Sequence, residues 1–226
     1  MHAHCLSCYT GNVTTIAIVA QKGGAGKTTV AVHLAVAAMT AGERVAIVDL
    51  DPQQSALAWS STRGCDEPTV IAIDGPDLIA ALAEAGRDGY TVVIVDTAPR
   101  AAPVVAATVR AADFALVPMR PAAFDLATIE QIVAIIAATP TPGALVLNAC
   151  PSRAPEVAEA REVCTGHAVP LAPMQLGDRR AYARAVQTGR AVQEFEPRGA
   201  AAAEISALWT FVNERTTKNG AQKLRN

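Results

Sequence analysis

The residues best able to do chemistry lie in one short run, Lys22-Gly23-Gly24-Ala25-Gly26-Lys27-Thr28-Thr29. Glycines at 23, 24 and 26 let the backbone curl closely around an anion. The N–H groups from about Gly24 to Thr28 would then point at phosphates, with a helix dipole behind them. Lys27 would neutralise β- and γ-phosphate oxygens. The Thr28 hydroxyl would ligate magnesium, an ion that takes few protein ligands and keeps several waters, and Thr29 is placed to reach the α-phosphate. Such a loop must follow a strand and open a helix, and it does: Val13–Ala20 is β-branched and apolar, and 28–41 is alanine-rich with helical period. Against the general pattern G-x-x-x-x-G-K-[ST], Gln21 replaces the first glycine and a second lysine, Lys22, is added.

Two acids complete the constellation. Asp51 lies in Val48-Asp49-Leu50-Asp51-Pro52-Gln53, and Asp96 follows Val92-Val93-Ile94-Val95. Both end apolar strands, at the carboxyl edge where ligands bind in open α/β sheets. Phosphoryl transfer asks for positioning, charge neutralisation and an oriented water. Asp51 is expected to orient that water and to stand at the metal with Thr28, while Asp96 holds the metal through water. An Asp ending a strand is by itself commonly a cap or turn residue; the order of the motifs singles these two out. Asn148, expected just after the sixth strand, is either an adenine contact or an ordinary turn residue.

The elements that must position these groups alternate regularly. Strands are expected at Val13–Ala20, Arg44–Val48, Thr69–Ile73, Thr91–Val95, Phe114–Val117 and Ala144–Leu147, with a weaker one at Val169–Ala172. Helices are expected at 28–41, 76–86, 125–138, 155–164 and 200–215. Continuously apolar strands joined by crossovers of this length predict an α/β fold, a doubly wound, mostly parallel sheet covered on both faces. At 226 residues the chain fits one such domain, 13–215. Residues 1–12 are expected to be loosely ordered or a mis-assigned extension before a true start at Val13, and 216–226 a polar tail.

The run Gln21 to Thr29 resembles the deviant Walker-type ATPases of the ParA/MinD family, whose loop reads x-K-G-G-x-G-K-[ST]. The segment around Asp51 resembles that family's switch I, and Val95-Asp96-Thr97-Ala98-Pro99 its Walker B and switch II. Gly177-Asp178-Arg179-Arg180-Ala181-Tyr182, with Gly189-Arg190-Ala191-Val192, resembles the short plasmid-partition members of ParF type. The resemblance implies a P-loop NTPase of the SIMIBI type that uses ATP and Mg2+. It also implies a nucleotide-sandwich homodimer in which Lys22 reaches the other subunit's ATP, and slow hydrolysis stimulated by a ParB-type adaptor. Asn148 matches a position that often contacts adenine in that family.

What such a switch would drive is narrowed by composition. A formal charge of −2 excludes a chain coated in basic residues but allows a local patch. Arg179, Arg180, Arg184 and Arg190 are candidates for non-specific contacts to DNA phosphates, or else a solvated or interface face. Charge alone leaves the partner open, and it is the resemblance that implies plasmid or chromosome partition as the expected function, in a bacterial cytoplasm on the nucleoid. The alternative is MinD-like positioning, or positioning of a protein or transferred-DNA cargo. Residues 204–215 carry Ile205, Leu208, Trp209, Phe211 and Val212, a pattern expected of a final packed helix more than of a membrane-binding one. A nitrogenase-reductase or arsenite-pump relative would need cysteines beside the switch segments, and Asp96 to Pro99 carries none. Five irregularly spaced cysteines suit free thiols in a reducing compartment. His2, His4, Cys5 and Cys8 could ligate zinc, but they stand outside the expected fold and lack a second C-x-x-C.

Overall fold

The computed structural model describes residues 13–98, 102–122 and 129–223. The strands are β1 (Thr14–Ile18), β2 (Val45–Asp49), β3 (Thr69–Ala72), β4 (Val92–Asp96), β5 (Phe114–Met119), β6 (Gly143–Cys150) and β7 (Leu171–Gly177). They form one sheet in the order β3-β2-β4-β1-β5-β6-β7, with every pairing parallel. Strand β1 is central, and later strands run outward on both sides of it, which makes its carboxyl end the crevice where a ligand is expected.

The helices are α1 (Lys27–Thr40), α2 (Ser55–Ser61), α3 (Leu78–Arg87), α4 (Ala102–Ala111), α5 (Ile129–Ala137), α6 (Pro155–Thr165), α7 (Arg180–Gln187), α8 (Val192–Phe195) and α9 (Ala200–Lys223). Alternation along each strand divides the core. Ile16 and Ile18 of β1, Val92 and Ile94 of β4, and Phe114 and Leu116 of β5 face a layer built from α1, α2, α7, α8 and α9. Ala17, Ala115 and Val117 face α4, α5 and α6, while Val93 and Val95 face α3. A strand buried on both faces has no polar position to spare, which is why these runs are continuously apolar.

The seven expected strands are all present, with shifted ends. β6 runs on to Cys150 and β7 to Gly177, because their pairing is irregular: register shifts fall between Leu145 and Leu147 and between Leu147 and Cys150. Ala149, at φ 50, sits in the second irregularity. Helices α2, α4, α7 and α8 were not expected; α2 and α8 are two turns or less, too short for a periodic signal. Of the helix expected at 125–138, residues 125–128 lie outside the described residues. The last helix continues past 215 to Lys223, so the stretch read as a polar tail from 216 begins inside a helix. The hydroxyls of Thr216 and Thr217 donate to the carbonyls of Val212 and Asn213 one turn back, satisfying polar groups within the helix itself. The His2, His4, Cys5 and Cys8 group lies outside the described residues.

Candidate functional site

The loop from Gln21 to Gly26 joins β1 to α1 at the carboxyl edge of the sheet. Gly26 occupies the N-cap of α1 at φ 92, with no side chain capping the helix and no acid in its first turn. The first N–H groups of α1 therefore carry uncompensated partial positive charge, an anion site in physical terms. Gly26 is required twice over. Its left-handed backbone disfavours any side chain, and a Cβ there would lie 2.1 Å from Nδ2 of Asn148. Gly24 is also left-handed, whereas Gly23 is neither left-handed nor crowded by this chain.

Asn148 is nearly buried and lies within β6, not after it as expected. Its amide donates to the Ala25 carbonyl at 2.8 Å, pinning the loop from below. The bulge at Ala149 accounts for this aim, since an extra residue re-directs its neighbour's side chain. In this conformation the amide supports the loop that would hold phosphates.

Lys27, Thr28, Asp51 and Asp96 lie close enough together to influence one another electrostatically. Lys27 is buried; desolvation lowers its pKa, opposed by the charges of Asp96 and Asp51. Asp96 is fully buried, and among the described residues neither carboxylate oxygen has a hydrogen-bond partner. Burial pushes its pKa up to about 7, with Asp49 and Asp51 adding to the rise. The Thr28 hydroxyl and the Lys27 ammonium oppose it, the hydroxyl standing close enough to ease the charge without completing a hydrogen bond. A buried, unpartnered carboxylate is costly, and its usual compensation is a cation or ordered water. Among the described residues no three His, Cys, Asp or Glu side chains form a metal cage. A cation here would be held by Thr28, phosphate oxygens and water backed by Asp96, and the residues present fit magnesium.

Asp49 lies beside Asp96 in parallel register and is buried too, but its carboxylate is satisfied. Oδ1 accepts from the Asp51 N–H at 3.0 Å, and Oδ2 accepts from the N–H groups of Ala56 and Leu57 at 2.9 and 3.2 Å. It caps α2 and holds the backbone of Asp51, a role the motif alone did not disclose. Asp51 is half-buried and accepts from the Gln53 N–H at 3.0 Å. Thr97, also not singled out by sequence, donates its hydroxyl to the Ile18 carbonyl at 2.9 Å and ties the end of β4 to the start of the loop. Lys22 is half-buried and lines a small cavity with Ala25, Val117 and Met119. Pro99 lies outside the described residues.

The four candidate arginines fall into two groups. Arg179 gives its Nε and one terminal nitrogen to Glu204 at 2.9 and 2.7 Å, and Glu204 also receives the Tyr182 hydroxyl and the Gly177 N–H. Its guanidinium is thereby engaged in fastening α7 to α9. Arg180 and Arg184 are exposed one turn apart on α7, Arg184 lying 5.6 Å from the Phe195 ring, and Arg190 is exposed just beyond the helix. Among the described residues no helix is long and apolar enough to cross a membrane.

A seven-stranded parallel sheet with an uncapped, glycine-bounded helix start and two carboxyl-edge acids defines a P-loop nucleotide-binding protein. The chain belongs to the CobQ/CobB/MinD/ParA nucleotide-binding domain family, whose profile matches residues 16–192. It is 34% identical over 197 residues to maintenance of carboxysome distribution protein A from Gloeobacter kilaueensis, covering 84% of this chain and 88% of that protein. It is 35% identical over 153 residues to the chromosome-partitioning ATPase Soj from Thermus thermophilus, covering 55% and 61%. In fold it is similar to the cell division ATPase MinD of Pyrococcus furiosus, with a TM-score of 0.74 at 19% identity over 90% of this chain and 99% of that one. It is accordingly a positioning or partition ATPase of ParA/MinD type.

Proposed function

We propose that this protein is a ParA-type switch that binds ATP, pairs with a second copy over the nucleotide, and grips DNA non-specifically in that state. Hydrolysis, stimulated by a ParB-type adaptor, then releases it. The observation that carries this reading is Asp96, a fully buried carboxylate beside Thr28 and Lys27 that has no hydrogen-bond partner among the described residues. Folding would not retain that cost unless binding relieved it.

In this reading the N–H groups at the start of α1 and the Lys27 ammonium bind the β- and γ-phosphates. Thr28 and Asp96 orient the metal's ligand shell, and Asp51, steadied by Asp49, positions the attacking water. Magnesium, when bound with the nucleotide, supplies charge neutralisation across the β- and γ-phosphates. Lys22 acts on the partner copy's nucleotide, and Asn148 keeps the loop in register and borders the adenine. Arg180, Arg184 and Arg190 contact phosphates, doubled by dimerisation, while Arg179 stays with Glu204. The site of action is the bacterial cytoplasm, on the nucleoid.

The cargo is a plasmid or chromosome, moved through the adaptor. A protein body is a second reading, favoured by similarity across 88% of a carboxysome-distribution protein. Co-sedimentation with duplex DNA and with anionic liposomes, each with ATP, ADP or no nucleotide, tests the proposal. ATP-dependent DNA retention that weakens with salt is expected. Liposome retention without DNA retention would refute it.

A further inference from the structure

Helix α2 begins at the segment that carries Asp51 and ends against the segment that carries the arginines. At its start, Asp49 binds both the Asp51 backbone and the first N–H groups of the helix. At seven residues, α2 is a rigid rod roughly 10 Å long. At its far end the buried Trp59 donates its indole N–H to the Arg190 carbonyl at 3.3 Å. Arg63, just past the helix, lies 4.7 Å over the Trp59 ring, its side chain only 3% exposed.

The Arg63 guanidinium is fully engaged. It donates to the Glu67 carbonyl at 2.8 Å, to the Gly189 carbonyl at 3.0 Å, and through two nitrogens to Glu194 at 2.7 and 3.1 Å. Glu194 in turn accepts the Ala191 N–H at 2.8 Å. Gly189, at φ 66, brings backbone onto backbone: a Cβ there would lie 2.5 Å from the Thr62 carbonyl. On its other side the same segment is held by α1, where the buried His33 accepts the Val192 N–H at 3.2 Å through Nδ1. Residues 189–196 are thus fixed between the helix that opens at the phosphate loop and the helix that opens at Asp51. They continue directly from α7, which bears Arg180 and Arg184.

We propose that Arg63 and Glu194 link the nucleotide state at Asp51 to the placement of Arg180, Arg184 and Arg190, so that grip on duplex DNA depends on the γ-phosphate. This rests on the DNA-binding reading above. A shift of Asp51 toward or away from a γ-phosphate moves α2 as a unit, and the bidentate pair carries that shift into 189–196 because Arg63 has no slack. Reciprocity follows from linkage: DNA on the arginines changes ATP affinity by the same factor. Arg63 and Glu194 are positioning residues in this scheme, since neither touches nucleotide or DNA.

The test uses the full chain with Arg63→Met, which keeps an apolar stem on Trp59, Glu194→Gln, which is the milder change, and the double variant. Anisotropy of a labelled non-specific duplex gives the affinity ratio between ATP and ADP states, and hydrogen exchange of 180–196 with ATP or ADP reads the same coupling without DNA. The wild type is expected to favour ATP by about tenfold or more, and each single substitution to cut that to within about threefold. The double variant should do no further damage, because the two side chains act as one unit. A purely structural ion pair would lower the melting temperature and leave the ratio intact, so an unchanged ratio in both single variants overturns the link while leaving DNA binding standing. If the wild type binds no duplex in any state, the DNA reading fails and exchange decides the link. Nucleotide-dependent protection lost in Glu194→Gln upholds it, and protection retained overturns it.

Discussion

Replacing His33 with Asn should flatten a large part of the protein's acid sensitivity. His33 is fully buried on α1, and burial lowers its pKa from 6.5 to about 4; the nearby Tyr182 backbone and the charge of Glu194 oppose that shift without reversing it. Nδ1 accepts the Val192 N–H, so the folded state prefers neutral imidazole while the unfolded chain takes up a proton below about 6.5. Below that pH the unfolded state binds more protons than the folded one. Stability contributed by neutral His33 is therefore complete above pH 6.5 and lost as pH falls toward 4. With the two values 2.5 units apart, the loss reaches about 3 kcal/mol at pH 4. In a chain of this size that is roughly 6–12 °C in melting temperature. Asn presents Oδ1 where Nδ1 stood and does not titrate, though it fills less space beside Tyr182, whose ring centroid lies 5.2 Å from that of His33. The variant should start about 1–2 kcal/mol less stable at pH 7.5, overtake the wild type between about pH 6 and pH 5, and lead it by about 1–2 kcal/mol at pH 4. Urea unfolding at pH steps between those limits measures the difference, in which the other titrating groups cancel. A wild-type minus variant difference that stays constant across that range would refute the assignment of His33 as a neutral buried acceptor.

Lys27→Ala should abolish nucleotide binding by equilibrium dialysis, whereas Lys22→Ala should spare monomer affinity and impair dimerisation or hydrolysis; equal losses of affinity would argue against a role for Lys22 in trans. Asp51→Ala should leave binding intact and accumulate an ATP-bound dimer by light scattering, and full turnover would remove Asp51 from its role. Gly26→Ala should lose ATP binding at least about tenfold while remaining folded by circular dichroism, because its Cβ meets Asn148 at 2.1 Å and its left-handed backbone costs about 1–2 kcal/mol. Adding Asn148→Ala should recover only the steric part, so wild-type affinity in Gly26→Ala alone sinks the argument. Arg184→Ala should lower the slope of log affinity against log salt by about one per protomer, while Arg179→Ala should lower thermal stability first, through loss of Glu204; the reverse pattern would reassign the two.

The parts of the fold legible in the sequence were those enforced by burial on both faces. The five inner strands were readable because two covered faces leave little room for a polar side chain, and Val92-Val93-Ile94-Val95 admits few other readings, whereas the edge strands β3 and β7 are only partly covered and gave a weaker pattern. The phosphate loop was readable because a left-handed turn and a close approach at Gly26 restrict the residue type almost absolutely. What escaped was short or set by partners distant in sequence. Helix α2 follows Gln54, whose left-handed conformation no local preference signals, and its cap comes from Asp49 six residues before its first residue. Arg179 could not be separated from its arginine neighbours because Glu204, which engages it, lies 25 residues away. Asn148 was placed after its strand because the bulge that keeps it within β6 depends on pairing with β7.

Asp49 and Asp96 make the same point within the site. They end adjacent parallel strands in matching register, follow equally apolar runs, and are equally buried. By local sequence they are interchangeable. Their roles diverge through what the chain does next. After Asp49 it turns within six residues into α2, whose N-terminus folds back and places N–H groups on the carboxylate. After Asp96 comes Thr97, whose hydroxyl goes to Ile18 instead, and among the described residues no donor completes a hydrogen bond to the Asp96 carboxylate. One carboxylate is satisfied by the chain that follows it, and the other, its pKa pushed up to about 7, can shed the cost of burial only by taking up a proton or by meeting a ligand. Supplying Asp96 with an internal donor would therefore stabilise the nucleotide-free protein and weaken its discrimination for metal-bound nucleotide, because the same unmet demand underlies both.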